Sequence, residues 1–115
     1  MSPQGAVSPI TIHSLDDARA ALDAAPAGIP VRLHSPPGAA GHQGIGWWQA
    51  LLRLLAEDFP GREVEAVLDC GDSPGLALAA LRAGVTLVRV RGLPPETADK
   101  LADIAGKLGS RIQMS

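Results

Sequence analysis

The chain has one cysteine, no long apolar run and no block of like charge. A lone cysteine, Cys70, excludes an internal disulfide and suits a reducing compartment. The start, Met1-Ser2-Pro3-Gln4-Gly5, lacks the basic and apolar regions of a signal peptide, so a cytoplasmic location is expected. The longest apolar run, Leu76 to Leu81, falls far short of the ~20 residues a membrane-spanning helix requires. No membrane association is therefore expected. Basic residues are scattered, with no cluster beyond Arg89 and Arg91, and the formal net charge is -2. That excludes an electrostatic case for nucleic acid. Internal repeats, heptads and low-complexity linkers are also missing.

Familiar catalytic signatures are absent too. Neither a Walker A nor a dinucleotide fingerprint occurs. No second cysteine follows Cys70 in the spacing of a thioredoxin-like motif, and a tyrosine-phosphatase-like loop would need Arg where Leu76 stands. His13, His34, His42, Cys70 and Asp72 are potential metal ligands, but no two share a diagnostic spacing. No metal and no cofactor are expected.

What is present is a foldable composition. At 46% hydrophobic and 19% charged residues, the chain is predicted to fold. Its 115 residues suit one domain. A loose tail is predicted over 1–9 and a single domain over 10–115. Arginine outnumbers lysine, and alanine, glycine and proline are plentiful, which suggests a GC-rich bacterial genome.

The organising stretch is Glu65 to Gly84. Ala66-Val67-Leu68 is a continuous apolar run, the pattern of a strand in a covered parallel sheet. It ends at Asp69, and Gly71, Pro74 and Gly75 supply a turn. Asp72 or Ser73 is placed to cap a helix with Pro74 at its first position, and Gly84 suits its end. Before this unit come a short strand at Ile10–Ile12, a helix started by Ser14 and Asp17, and an alternating strand at Val31–His34. A long loop is read from Ser35 to Gly46, followed by a helix from Trp47 to Phe59. One of Trp47 and Trp48 is expected in the core. After it come a strand at Val85–Val90, a helix at Thr97–Leu108 and a last edge strand at Arg111–Gln113. The alternation predicts a single three-layer α/β domain, with four to five mostly parallel strands and flanking helices, flavodoxin-like or STAS-like.

In such sheets ligands bind beyond the carboxyl ends of the strands, where strand order reverses. The candidate ligand-binding residues there are Ser35, Gly38, Gly41, His42, Gly44, Asp69, Asp72 and Ser73. The loop glycines are candidates to cradle a small anion with their backbone N–H groups. Candidate catalytic residues are Cys70 and Asp72, with His34 or His42 as base. The opposing reading makes Cys70 a small buried hydrophobe.

Three resemblances follow from these residues. Val67-Leu68-Asp69 with Ser73-Pro74-Gly75 is similar to the phospho-acceptor region of receiver domains. However, His13-Ser14 stands where a receiver carries its acidic pair. Asp72-Ser73-Pro74-Gly75-Leu76, with Leu87 to Val90 and the closing helix, resembles the Asp-Ser-x-Gly-Leu segment of STAS domains. That likeness implies a partner switch with Ser73 as regulatory serine. From about Val31 to Ile112 the chain resembles short proteobacterial α/β proteins of unassigned function. The leading expectation is a non-catalytic binding or protein-interaction module using the carboxyl-edge loops, with a protein partner or a small anion as ligand and a homodimer as a further option. The alternatives are a small enzyme and a STAS-like switch.

Overall fold

A computed structural model describes residues 9–115. Of the tail expected over 1–9, only Pro9 is among them. The elements run β1 (Ile10–Thr11), α1 (Leu15–Ala24), β2 (Val31–His34), α2 (Ala39–His42), α3 (Ile45–Asp58), β3 (Val64–Asp69), α4 (Pro74–Arg82), β4 (Leu87–Val90), α5 (Pro95–Lys107) and β5 (Arg111–Met114). This is the predicted α/β domain, with one parallel sheet and flanking helices.

Local chemistry sets the ends of these elements. Ser14 caps α1 by accepting from the Asp17 N–H, while Asp17 accepts from the His13 N–H. Ser73, not Asp72, caps α4, accepting from the Leu76 N–H at 3.1 Å with Pro74 in the first turn. Two boundaries differ from expectation. The stretch read as a loop from Ser35 to Gly46 contains helix α2, and α3 begins at Ile45 rather than Trp47. The reason is packing: Ala39 and Ala40 are buried, so a short helix there covers apolar surface despite its glycines.

Strand order, which the sequence left open, is sequential from β1 to β5. β1 therefore sits at an edge, whereas a flavodoxin-like sheet places its first strand inside. Nor is there a point where strand order reverses. Right-handed crossovers between successive neighbours return each helix to the same face. The packing agrees, because α1 meets α3 and α4 meets α5. Gln49 of α3 also donates to the Ala83 carbonyl at the end of α4, at 2.6 Å.

The layers on the two faces of the sheet are thus unequal. Toward the helices point Val31, Leu33, Ala66, Leu68, Cys70, Val88 and Val90. They form one core with Leu22, Trp48, Leu51, Leu55, Leu81 and Leu101. Trp48 is fully buried, while Trp47 is half-buried beside it. The intervening strand residues point the other way. There the sheet carries a thin layer of side chains: Arg32, His34, Glu65, Val67, Asp69, Leu87, Arg89, Arg111 and Gln113. Val67 is buried, yet it is not part of the helix-side core.

Candidate functional site at the carboxyl edge and the polar sheet face

Asp69 is the centre of the carboxyl edge. It ends β3 with its side chain almost fully buried. Oδ1 accepts from the N–H of Gly38 at 2.9 Å and of Gly71 at 2.8 Å, and Oδ2 accepts from Arg91 Nη2 at 2.6 Å. Burial by itself would raise the Asp69 pKa. The two backbone donors and Arg91 outweigh it and hold the carboxyl below its ordinary value. Ser35 is buried beside it, with Oγ accepting from the Asp69 N–H at 2.9 Å and donating to the Pro36 carbonyl. These contacts tie the segment after β2 to the ends of β3 and β4. Pro37, Gly38, Gly71, Asp72, Arg91 and Gly92 surround a shallow depression above them.

The glycines expected to cradle an anion use their N–H groups within the fold. Gly38 donates to Asp69, Gly41 to the Gly38 carbonyl and Gly44 to the Ala39 carbonyl. Gly38 has φ +70°, and a Cβ there would lie 3.3 Å from the His42 ring, so the position demands glycine. Gly41 packs against Leu76. Asp72 and His42 are exposed, and Ser73 is half-buried with its hydroxyl engaged as the α4 cap.

Of the candidate catalytic residues, Cys70 and His34 lie on opposite faces of the sheet. Cys70 points into the helix-side core and is 1% exposed. Burial, then the Asp69 carboxylate, pushes its thiol from 9.0 up to about 11. His34 projects from the opposite face, where Arg89 Nη2 donates to Nδ1 at 2.6 Å. An arginine can only donate, so the facing ring nitrogen accepts. Burial, Arg89 and Arg32 lower the His34 pKa below 6.5, against a smaller opposing effect of Asp69. Among the described residues, no group of three His, Cys, Asp or Glu is placed to hold a metal ion.

The Cys70 setting has a measurable consequence. A thiol that titrates at about 11 rather than 9.0 supplies about a hundredfold less thiolate at neutral pH. Iodoacetamide at pH 7.5 is expected to modify native Cys70 at least a hundredfold more slowly than the urea-unfolded chain. Equal rates would mean that the thiol is accessible and ionised.

The sequence pointed to a wetter face on the Val31–His34 strand, but not to the polar face that runs across the sheet. Arg32 Nη2 meets Glu65 Oε1 at 2.9 Å, Arg89 meets His34, and Arg111 lies on the edge strand. Within the strands three arginines thus face one glutamate there, with the exposed Glu63 just before β3 at one end and the neutral Asp69–Arg91 pair at the other. The exposed carboxylates of Asp16, Asp17, Asp23, Glu57, Asp58, Glu96, Asp99 and Asp103 sit on the helices. The face is therefore basic on a chain of net charge -2. The signal was the alternation of Arg32 with Val31 and Leu33, and of Arg89 with Val88 and Val90. Among the described residues no helix is long and apolar enough to cross a membrane. No protein-family model matches the chain, and no curated protein or solved structure matches it significantly.

Proposed function

We propose that this chain is a protein-interaction module whose basic sheet face, from Arg32 and Glu65 across His34 and Arg89 to Arg111, docks an acidic protein surface. One observation carries the reading. A parallel sheet is ordinarily covered on both faces, and here, among the described residues, no helix covers the face that carries Arg32, Glu65, His34, Arg89 and Arg111. Charge selects the partner. Face-to-face pairing of two copies would set arginines against arginines, which is unfavourable. An acidic surface complements them.

The carboxyl edge has a supporting role in this reading. The Asp69–Arg91 pair borders the same face and holds its rim in place.

A decaglutamate peptide at low salt is the test probe. Backbone-amide NMR shifts on titration are expected to cluster on β2, β4 and β5. The double variant Arg89→Glu/Arg111→Glu is expected to weaken binding at least about tenfold, each exposed charge contributing up to ~1 kcal/mol. Shifts confined to the helices would overturn the reading. So would self-association of the free chain through the sheet face, or tighter binding of a DNA oligonucleotide of equal charge.

A further inference from the structure

The sheet ends in an open edge at β5. Arg111 and Ser115 donate their N–H groups inward, to the Thr86 and Val90 carbonyls on the β4 side. In a ladder the backbone groups of alternate residues point to opposite sides. The N–H and C=O groups of Ile112 and Met114 therefore point outward, and they meet no backbone partner among the described residues. Neither proline nor a bulge interrupts the strand, whose pairing with β4 runs residue for residue from Arg111 to Met114. Met114 is 48% exposed there, and Leu108, shortly before the strand, is 52% exposed. The opposite edge offers less. β1 follows Pro9 and has two residues, of which Thr11 alone turns its backbone outward.

An outward row of backbone donors and acceptors is a template for another strand. We infer that β5 pairs antiparallel with β5 of a second copy, about a two-fold axis at Gln113, so that two sheets join edge to edge. The register follows from the backbone. Centred on Gln113, the pairing lets Ile112 exchange N–H···O bonds with Met114 of the second copy, and it engages every outward group of the strand. Centring on Ile112 instead would call on Ser110, whose N–H is already donated to the Ala105 carbonyl. The side chains suit the same register. The two Gln113 amides face each other and can both donate and accept. Arg111 stands opposite the uncharged Ser115. Ile112 stands opposite Met114 and covers its exposed apolar surface. The two Arg111 residues lie about 13 Å apart along the strands, beyond the ~8 Å screening length at physiological salt. Strand partners in one sheet share its faces, so the polar faces of the two copies lie side by side and stay open. The pairing is thus distinct from face-to-face association and does not depend on what docks on those faces. With four residues in each strand the interface is small, and a dissociation constant in the micromolar range is expected.

Sedimentation velocity on the full chain at physiological salt, from about 5 to about 500 µM, is expected to show a reversible shift from monomer to dimer. Amide hydrogen exchange at the two ends of that range is expected to add protection at Ile112 and Met114. Met114→Pro removes an outward N–H without touching the β4 ladder, and is expected to weaken the dimer about tenfold or more. Gln113→Glu and Gln113→Lys each set like charges against one another across the axis. Each alone is expected to suppress the dimer, and an equal mixture of the two is expected to restore it. This exchange of charge at an exposed position keeps the inference testable if Met114→Pro does not fold. A chain still monomeric at about 500 µM would overturn it and leave the edge to an extended peptide of another protein. A dimer that Met114→Pro leaves intact, charge variants that mixing does not rescue, or added protection confined to other strands would overturn it as well.

Discussion

Asp69→Ala is expected to cost about 3 kcal/mol of folding stability, roughly a third of the stability of a domain this size. The substitution strands the N–H groups of Gly38 and Gly71, which Asp69 Oδ1 accepts at 2.9 and 2.8 Å. Each orphaned, partly buried donor costs about 1–3 kcal/mol, and water reaching the half-buried glycines keeps the total toward the lower part of that sum. The freed Arg91 is 45% exposed and re-enters solvent, so it adds little. Asp69→Asn keeps one acceptor oxygen for the two glycines but turns an NH2 donor toward Arg91 in place of Oδ2, so it loses the charge and the Arg91 bond, at an expected cost of about 1–2 kcal/mol.

The same residue fixes an acid response. Its carboxyl titrates below the ordinary 3.8 in the fold. The unfolded chain therefore takes up this proton first, and the stabilisation is fully present above about pH 4 and lost as pH falls through the folded value. His34 acts in the same direction at higher pH. Its folded pKa lies below 6.5, so the unfolded chain binds that proton more readily and stability begins to fall on acidification from about pH 6.5. Urea unfolding at pH 7.5, 5 and 3 separates the two. Asp69→Asn is expected to flatten the step from pH 5 to 3 and leave the step from 7.5 to 5 intact. A wild-type stability unchanged between pH 5 and 3 would contradict the geometry around Asp69.

Trp48→Ala is expected to cost about 3–5 kcal/mol and to lower Tm by about 15 °C. Trp48 is fully buried in the helix-side core, and its ring centroid lies 5.8 Å from that of Trp47. Truncation leaves a cavity lined by the surrounding core side chains. Trp48→Phe provides the informative contrast. The indole Nε1 is buried with no hydrogen-bond partner among the described residues. Replacing it forfeits ring area but no hydrogen bond, so less than half the cost of the alanine variant is expected. Equal costs for the two variants, measured by thermal and chemical unfolding, would imply that Nε1 has a partner such as an ordered water.

Most of the fold was readable locally because its devices are local. Ser14 with Asp17, Ser73 with Pro74, and Gly84 at φ +97° each act within a few residues of themselves. The hidden helix α2 shows where local reasoning stops. Its entry at Gly38 is held by Asp69, from another strand, and its Ala39 and Ala40 are buried by tertiary packing. Pro36, Pro37 and the glycines read as a loop because nothing in that stretch announces a distant carboxylate. The site was legible in part. Asp69 and Ser35 were singled out as ligand-binding residues, but their oxygens are engaged within the fold. Arg89 and Arg91 stood out as the one basic cluster and Arg32 as part of an alternating strand, but none of them, nor Arg111, was read as part of one shared face, because arginine is ordinarily a solvated surface residue. Only strand order shows which face they share and whether anything covers it.

Sequential strand order also bears on how the chain reaches this structure. Each strand pairs with the one next in the chain, so no pairing has to wait for a distant segment to return. Each closure still spans a whole helical crossover, from Leu68 to Val88 at the shortest and from Val31 to Val64 at the longest. Growth by neighbouring units also makes stability graded along the sheet, as in stacked repeats. The two-residue strand β1 pairs on one side only, with β2, and is expected to exchange its amide hydrogens first. β3, paired on both sides and carrying the fully buried Leu68, is expected to exchange last and to serve as the scaffold onto which both ends of the sheet close.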